Sequence, residues 1–214
     1  MWTTIPFVIL IGISIPAAKV LIAMEDTSGA EMTVKVTGYQ WMWRYEYLDS
    51  DIDFYSILKT PRDEIYNRAE KNENYLLEVD NQLVLPTNRK IRILITSNDV
   101  LHAWWVPDLA LKKDAIPGYI NQVWTVIDKP GIYRGQCAEL CGRDHGFMPI
   151  VVRALSPEDY EQWVLGQEKQ KMTNTKGSST SYSKDVVSTS SNIEDMKSTS
   201  KSNAAVNRQA ALNN

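Results

Sequence analysis

Cysteine and histidine are scarce in this chain, with two of each in 214 residues. No C-x-x-C-H occurs, which excludes a covalently attached haem. No Lys or Arg stands ahead of the N-terminal apolar run, which argues against reading that run as a cleaved secretory signal. Aromatic residues all but vanish after Gly166, where the chain turns to Ser, Thr, Asn, Lys and Gln. Such a segment cannot bury enough apolar surface to offset its ordering entropy, so residues 166–214 are expected to be a disordered polar tail.

The few soft and imidazole donors fall into one pattern: His102, then Cys137-Ala-Glu-Leu-Cys141-Gly-Arg-Asp-His145-Gly-Phe-Met148. A C-x3-C pair alone reads as readily as a disulfide, and a lone histidine as a polar surface residue. Their joint spacing, with a methionine three residues after His145, points to metal. Thiolate and thioether are soft donors that favour copper, and zinc sites rarely recruit methionine. A mononuclear blue-copper centre needs one cysteine, two histidines and a weak methionine. A second thiolate is present here, and two thiolates can bridge two metals with one imidazole left for each. The donor count fits a dinuclear copper centre.

The run Tyr133-Arg-Gly-Gln-Cys-Ala-Glu-Leu-Cys-Gly-Arg-Asp-His-Gly-Phe-Met-Pro149 resembles the copper-binding loop of cytochrome c oxidase subunit II. Three further blocks are similar to the same family in the same order: Gln40-Trp-Met-Trp-Arg-Tyr-Glu-Tyr47, Leu77-Glu-Val-Asp-Asn81, and Asp99-Val-Leu-His-Ala-Trp104 running on to Asp114-Ala-Ile-Pro-Gly118. The resemblance implies a mixed-valence dinuclear copper centre of the CuA type. Cys137 and Cys141 would bridge, His102 and His145 would cap one copper each, Met148 would be a weak ligand, and Glu139 would donate its backbone carbonyl. The Glu139 side chain would also reach a magnesium or manganese ion shared with the large subunit, which a hard oxygen donor suits. Trp41, after Gln40, would be the exposed contact that takes electrons from cytochrome c, although alternating tryptophans in a strand ordinarily serve packing. Asp80 and Asp99 would be docking acids, and Trp104 and Trp105 would be walls that keep the metal dry. Tyr39 stands where relatives often have histidine and Tyr119 where arginine is common, which bears on contacts to partners but not on the copper ligands.

Charge is unevenly spread. Residues 1–165 hold 16 Lys and Arg against 22 Asp and Glu, and residues 166–214 hold 7 against 4. An acidic body steers a basic partner by an attraction that weakens with salt. With the resemblance beside it, that partner is a basic cytochrome c, and no nucleic acid is expected. Trp2 to Met24 is apolar apart from Thr3, Thr4, Ser14 and Lys19, long enough at ~1.5 Å per residue to cross a ~30 Å hydrocarbon core. Prolines at 6 and 16 are tolerated in membrane spans, and Lys19 can extend its ammonium to an interface. The segment reads as a retained anchor, despite a small-residue run at Ile15-Pro-Ala-Ala18 that resembles a cleavage site. Members of the family usually carry two spans, and this sequence begins at what resembles the second. The family also implies a bacterial plasma membrane, with the copper domain on its periplasmic or outer side and the membrane lipid and subunit I as neighbours.

The stretch after Met24 reads as β. Strands are expected at Met32–Gly38, Arg44–Tyr47, Tyr75–Val79, Gln82–Leu85, Ile91–Thr96, Gln122–Ile127, Gly131–Gly135 and Pro149–Ala154, divided by turn chemistry such as Asp80-Asn81 and Asp128-Lys-Pro-Gly131. Asp49–Asn74 reads as a charged surface excursion, partly helical. Ser156-Pro-Glu-Asp159 opens a helix with a cap, a proline at its first position and acids in its first turn, and Gly166 is expected to end it. The expected architecture is mainly β: a transmembrane helix at 1–24, a cupredoxin-like Greek-key sandwich with a C-terminal helix at 25–165, and the tail. The expected function is electron transfer from cytochrome c to a haem in subunit I, with oxygen reduction and proton translocation left to the assembled complex. A quinol oxidase subunit would lack the copper ligands, nitrous oxide reductase would need many more histidines, and a copper-delivery protein would need an exposed, exchangeable site.

Overall fold

The computed structural model describes residues 2–171. Thr4–Glu25 forms one helix, α1, with none of its side chains buried and Pro16 inside it. Among the described residues it is the one helix long and apolar enough to cross a membrane. Its far end runs into the β domain. Trp124 Nε1 donates to Ala23 O at 3.1 Å, and Lys90 Nζ donates to Asp26 O and Ser28 O at 2.9 and 2.7 Å. The same ammonium lies 4.5 Å over the Trp124 ring. Ala23 O, which also accepts the Asp26 N–H at 3.4 Å, lies in the last helical turn, Asp26 caps it and Ser28 follows, so the cation sits where the helix dipole is negative.

Ten strands follow among the described residues: β1 Met32–Tyr39, β2 Met42–Tyr47, β3 Ile52–Ser56, β4 Leu83–Pro86, β5 Ile91–Ser97, β6 His102–Val106, β7 Leu111–Ala115, β8 Asn121–Thr125, β9 Gly131–Cys137 and β10 Pro149–Leu155. They make two five-stranded sheets, β3-β2-β1-β5-β8 and β4-β10-β9-β6-β7. β1 pairs parallel with β5, and β10 with β4; the other pairings are antiparallel. Period-two alternation explains the core, since Ile91, Ile93 and Ile95 of β5 and Trp43, Tyr45 and Tyr47 of β2 point inward. Leu83, Leu85, Trp104, Val106, Ile150 and Val152 supply the facing layer. One close approach matters: a Cβ at Gly135 of β9 would stand 2.0 Å from the Trp105 carbonyl oxygen of β6.

Four expectations need correction. Tyr75–Val79 is not a strand; Leu76 has φ +60 and gives its N–H to Thr60 Oγ1 at 3.1 Å, leaving a single bridge between Leu58 and Val79. The excursion at 49–74 contains β3, which pairs with β2, besides a short helix, α2, at Arg62–Ile65. Trp105 is no wall of the metal site, because it alternates outward on β6 and is 40% exposed, whereas Trp104 is fully buried. The last helix, α3, covers residues 157–171, so Gly166 does not end it and 166–171 are ordered as helix. A glycine inside a helix costs only about 1 kcal/mol, too little to stop one whose neighbours favour it. The start of α3 is as expected: Asp159 N–H donates to Ser156 Oγ at 3.1 Å, and the hydroxyl donates to Asp159 Oδ2 at 2.9 Å. The rest of the expected tail, 172–214, lies outside the described residues.

Candidate metal centre

His102 opens β6 and Cys137 closes β9, and these strands pair with Trp104 opposite Cys137. The chain then loops from Ala138 to Met148 before β10 begins at Pro149. Ala138 N–H donates to Ala103 O at 3.0 Å, which fixes the start of the loop on β6. The fold thereby brings the distant histidine to the loop that carries the other donors. Ligand atoms of His102, Cys137 and Cys141 all lie within 4.8 Å of one another.

The two sulfurs are 3.8 Å apart, far beyond the ~2.05 Å of a disulfide, and both cysteines are free and buried. His102 Nδ1 lies 3.8 Å from Cys137 Sγ, and His145 Nδ1 lies 3.4 Å from Cys141 Sγ. The Glu139 carbonyl oxygen is 3.3 Å from Cys137 Sγ, and Met148 Sδ is 3.5 Å from Cys141 Sγ. His102 and Met148 are completely or almost completely buried, while His145 keeps a partly open face. Trp43 supports both sides: its Nε1 donates to Met148 O at 3.3 Å, and its ring meets His102 edge-on at 5.9 Å. Two unlinked thiols, two imidazole nitrogens, a thioether and a carbonyl converging in a largely buried cleft form a donor set that suits copper.

The other predicted residues divide. Glu139 turns its carbonyl inward and its side chain to solvent. Asp80 is exposed but engaged locally, accepting Ile57 N–H at 2.8 Å and Asn81 N–H at 2.7 Å. Asp99 is exposed, yet its carboxylate is engaged instead of lying free: Oδ1 meets His102 Nε2 at 2.9 Å, and Oδ2 accepts Gln40 N–H at 2.7 Å. Trp41 is half-buried rather than exposed, because Gly142 lies against its ring and the Arg143 guanidinium stands 5.8 Å from the ring centroid. Its free edge faces a groove of about 640 Å³ bordered by Leu58, Arg62, Tyr66 and Phe147. The sequence reading missed Gly38 and Gln40. A Cβ at Gly38 would stand 2.8 Å from His102 Cδ2, and Gln40 Nε2 donates to Cys141 O at 2.8 Å.

The electrostatics prepare one thiolate. Burial pushes the Cys137 thiol up, but His102, the Ala103 and Glu139 backbones and Cys141 outweigh it and bring it down to about 7. Cys141 is pushed up to about 12 by burial and by the charge of Cys137 beside it. Burial works against a charged His102, yet Cys137 and Asp99 hold its value above the usual range. Metal binding needs both thiols deprotonated, so copper affinity is expected to rise with pH. Below the Cys137 value, binding displaces about two thiol protons, and between the Cys137 and Cys141 values about one. Copper titrations of the metal-free protein at several pH values check this, and a pH-independent affinity would exclude thiolate ligation.

A two-sheet β domain that gathers two thiols, an imidazole and a thioether along the β9–β10 connection, with a second imidazole from the neighbouring strand β6, is a cupredoxin-like metal domain. Residues 32–155 match the family model of the cytochrome c oxidase subunit II periplasmic domain. The chain belongs to the cytochrome c oxidase subunit II family. Relatives include the probable cytochrome c oxidase subunit 2 of Rickettsia bellii, 44% identical over 79% of this chain and 61% of that protein. The subunit 2 of Oncopeltus fasciatus is 47% identical over 77% of this chain and 70% of its own. The chain therefore spans about three fifths of the length of the Rickettsia bellii relative. Among solved structures, the periplasmic domain of cytochrome oxidase subunit II (CoxB) of Bradyrhizobium japonicum is similar with a TM-score of 0.59 and 39% identity, covering 67% of this chain and 98% of that one. A second structure, of the mixed disulfide intermediate between a thioredoxin-like protein and subunit II of cytochrome c oxidase, has a TM-score of 0.56 and 39% identity, covering 68% of this chain and 96% of that one.

Proposed function

We propose that this chain is the electron-accepting subunit of a cytochrome c oxidase, taking single electrons from cytochrome c and handing them to a haem in subunit I. The observation that carries the reading is the convergence of two unlinked buried thiols, each with an imidazole nitrogen 3.8 Å or less from its sulfur. Cys137, Cys141, His102, His145, Met148 and the Glu139 carbonyl would hold two coppers. Bound there, a copper pair held by both thiolates would supply a one-electron acceptor.

The chain's own residues prepare that site. Trp43 packs on His102 and donates to Met148 O, and the buried Trp104 stands opposite Cys137, so His102, Cys137, Cys141 and Met148 sit in a low-dielectric, tightly packed setting that resists rearrangement. The outward-facing Glu139 carboxylate would reach a magnesium or manganese ion shared with subunit I. Residues 1–24 serve as the anchor and 25–165 as the copper domain, on the periplasmic or outer side of a bacterial plasma membrane. Oxygen reduction and proton translocation belong to the assembled complex.

Trp41 would be the short-range contact with the donor, while Asp80 guides the partner from a distance. Trp41→Phe is expected to leave the copper spectrum intact and slow electron arrival from cytochrome c about tenfold or more, because a positioned short-range contact is lost. Raising the salt should not restore the rate. Asp80→Asn should act only on association, by a small factor that shrinks as ionic strength rises. Stopped-flow kinetics at several salt concentrations separate the two. A parental rate for Trp41→Phe would make the tryptophan a packing residue.

A further inference from the structure

Trp41 does not hold itself in place. Its Nε1 is buried without a hydrogen-bond partner among the described residues, and it occupies a two-residue turn between β1 and β2. The residue before it anchors that turn. Gln40 gives its backbone N–H to Asp99 Oδ2 at 2.7 Å and its side-chain Nε2–H to Cys141 O at 2.8 Å. Asp99 Oδ1 in turn meets His102 Nε2 at 2.9 Å. His102 Nδ1 faces the Cys137 sulfur, so Nδ1 is the nitrogen that would face a metal, which leaves Nε2 to carry the proton given to Asp99. Gln40 thus reaches the ligand set twice: by main chain through Asp99 to His102, and by side chain to Cys141.

Two glycines permit the approach. A Cβ at Gly38 would collide with the His102 ring at 2.8 Å. A Cβ at Gly142, which has φ +118, would stand 3.1 Å from Gln40 Nε2 and 3.2 Å from Trp41 Cζ2. Asn98 N–H donating to Gly38 O at 3.0 Å ties β1 to the segment that carries Asp99 and His102.

The geometry points to Gln40 as a positioning residue for electron arrival, clamping the Trp41 turn to His102 and to the Cys137–Met148 loop through Asp99 and the Cys141 carbonyl. The clamp gives the turn a hydrogen-bonded connection to two ligand residues in addition to ring contact with Gly142. It also gives Asp99 a role other than docking, since both its oxygens are engaged. The inference rests on the reading of Trp41 as the donor contact. Transfer oxidises the donor haem by one electron and leaves every bond and proton of the clamp in place.

The test uses the full chain in the assembled oxidase, with Gln40→Met and Gln40→Glu. Methionine matches the length of glutamine without a donor, and glutamate sets an acceptor against the Cys141 carbonyl. Electron arrival from cytochrome c is expected to fall about fivefold in both, the population shift that losing one ordinary hydrogen bond produces. The loss should be insensitive to salt, with copper content and EPR spectrum unchanged. In the copper-free full chain, the Trp41 indole N–H resonance, assigned by its absence in Trp41→Phe, should broaden or split in both variants. Gln40→Met combined with Trp41→Phe should be no slower than Trp41→Phe alone, as for residues acting as a unit. A slow Trp41→Phe beside a parental Gln40→Met with an undisturbed indole signal overturns the clamp alone. A parental rate in Trp41→Phe overturns the donor-contact reading, and the clamp's purpose with it.

Discussion

Replacing Cys137 by serine is expected to lower the copper content from about two per chain to at most one. The EPR pattern of an electron shared over two nuclei should be lost with it. The Cys137 sulfur lies 3.8 Å from Cys141 Sγ and 3.3 Å from the Glu139 carbonyl, so it touches both the partner thiol and the loop's inward carbonyl. A serine hydroxyl is neutral at pH 7, a hard donor and shorter in reach, so it cannot replace a bridging thiolate. Cys137 is a buried member of the core, but serine is no larger than cysteine and adds no bulk, so the domain should still fold. Metal analysis and EPR of the copper-loaded variant check the result. Two retained coppers with an unchanged spectrum would rule out the bridging role, and preferential tight zinc binding by the parent chain would rule out the copper reading itself.

Gly135→Ala is expected to destabilise the fold by about 3 kcal/mol or more, at the upper end of overpacking effects. The new methyl would stand 2.0 Å from the Trp105 carbonyl oxygen, with the Val106 Cα 3.0 Å away. Both are backbone atoms of β6, which is held between β9 and β7, so no side chain can swing aside. β9 would have to separate from β6, and Cys137 lies two residues further along that strand. Urea unfolding of the metal-free protein should show the midpoint shift, and copper affinity should fall with it. A loss under about 1 kcal/mol would mean that the strands yield more readily than a packed sheet does.

The metal loop was legible in the sequence because its donors lie close together and cysteine and histidine hardly occur elsewhere. Strands with clean alternation, such as Ile91–Ser97, were legible for the same reason of local pattern. What escaped reading depends on tertiary contacts. β3 was hidden because Asp51 and Asp53 alternate with Ile52 and Phe54, so its charged face read as a loop. Tyr75–Val79 has strand-like residues, yet Thr60 captures the Leu76 N–H and the chain turns. Asp99 looked like any surface acid until the fold set it against both His102 and Gln40. Gly38 carries no sign in the sequence that an imidazole will lie across it.

The junction between α1 and β1 is not a loose tether. Three carbonyls, of Ala23, Asp26 and Ser28, are held by Trp124 and Lys90 on the sandwich. A domain hung from a slack linker would swing through a wide cone, and its bearing would have to be found anew at each encounter. Stitched at three points, helix and sandwich turn as one lever. A neighbour that grips the helix within the bilayer therefore also sets the compass heading of the metal loop outside it.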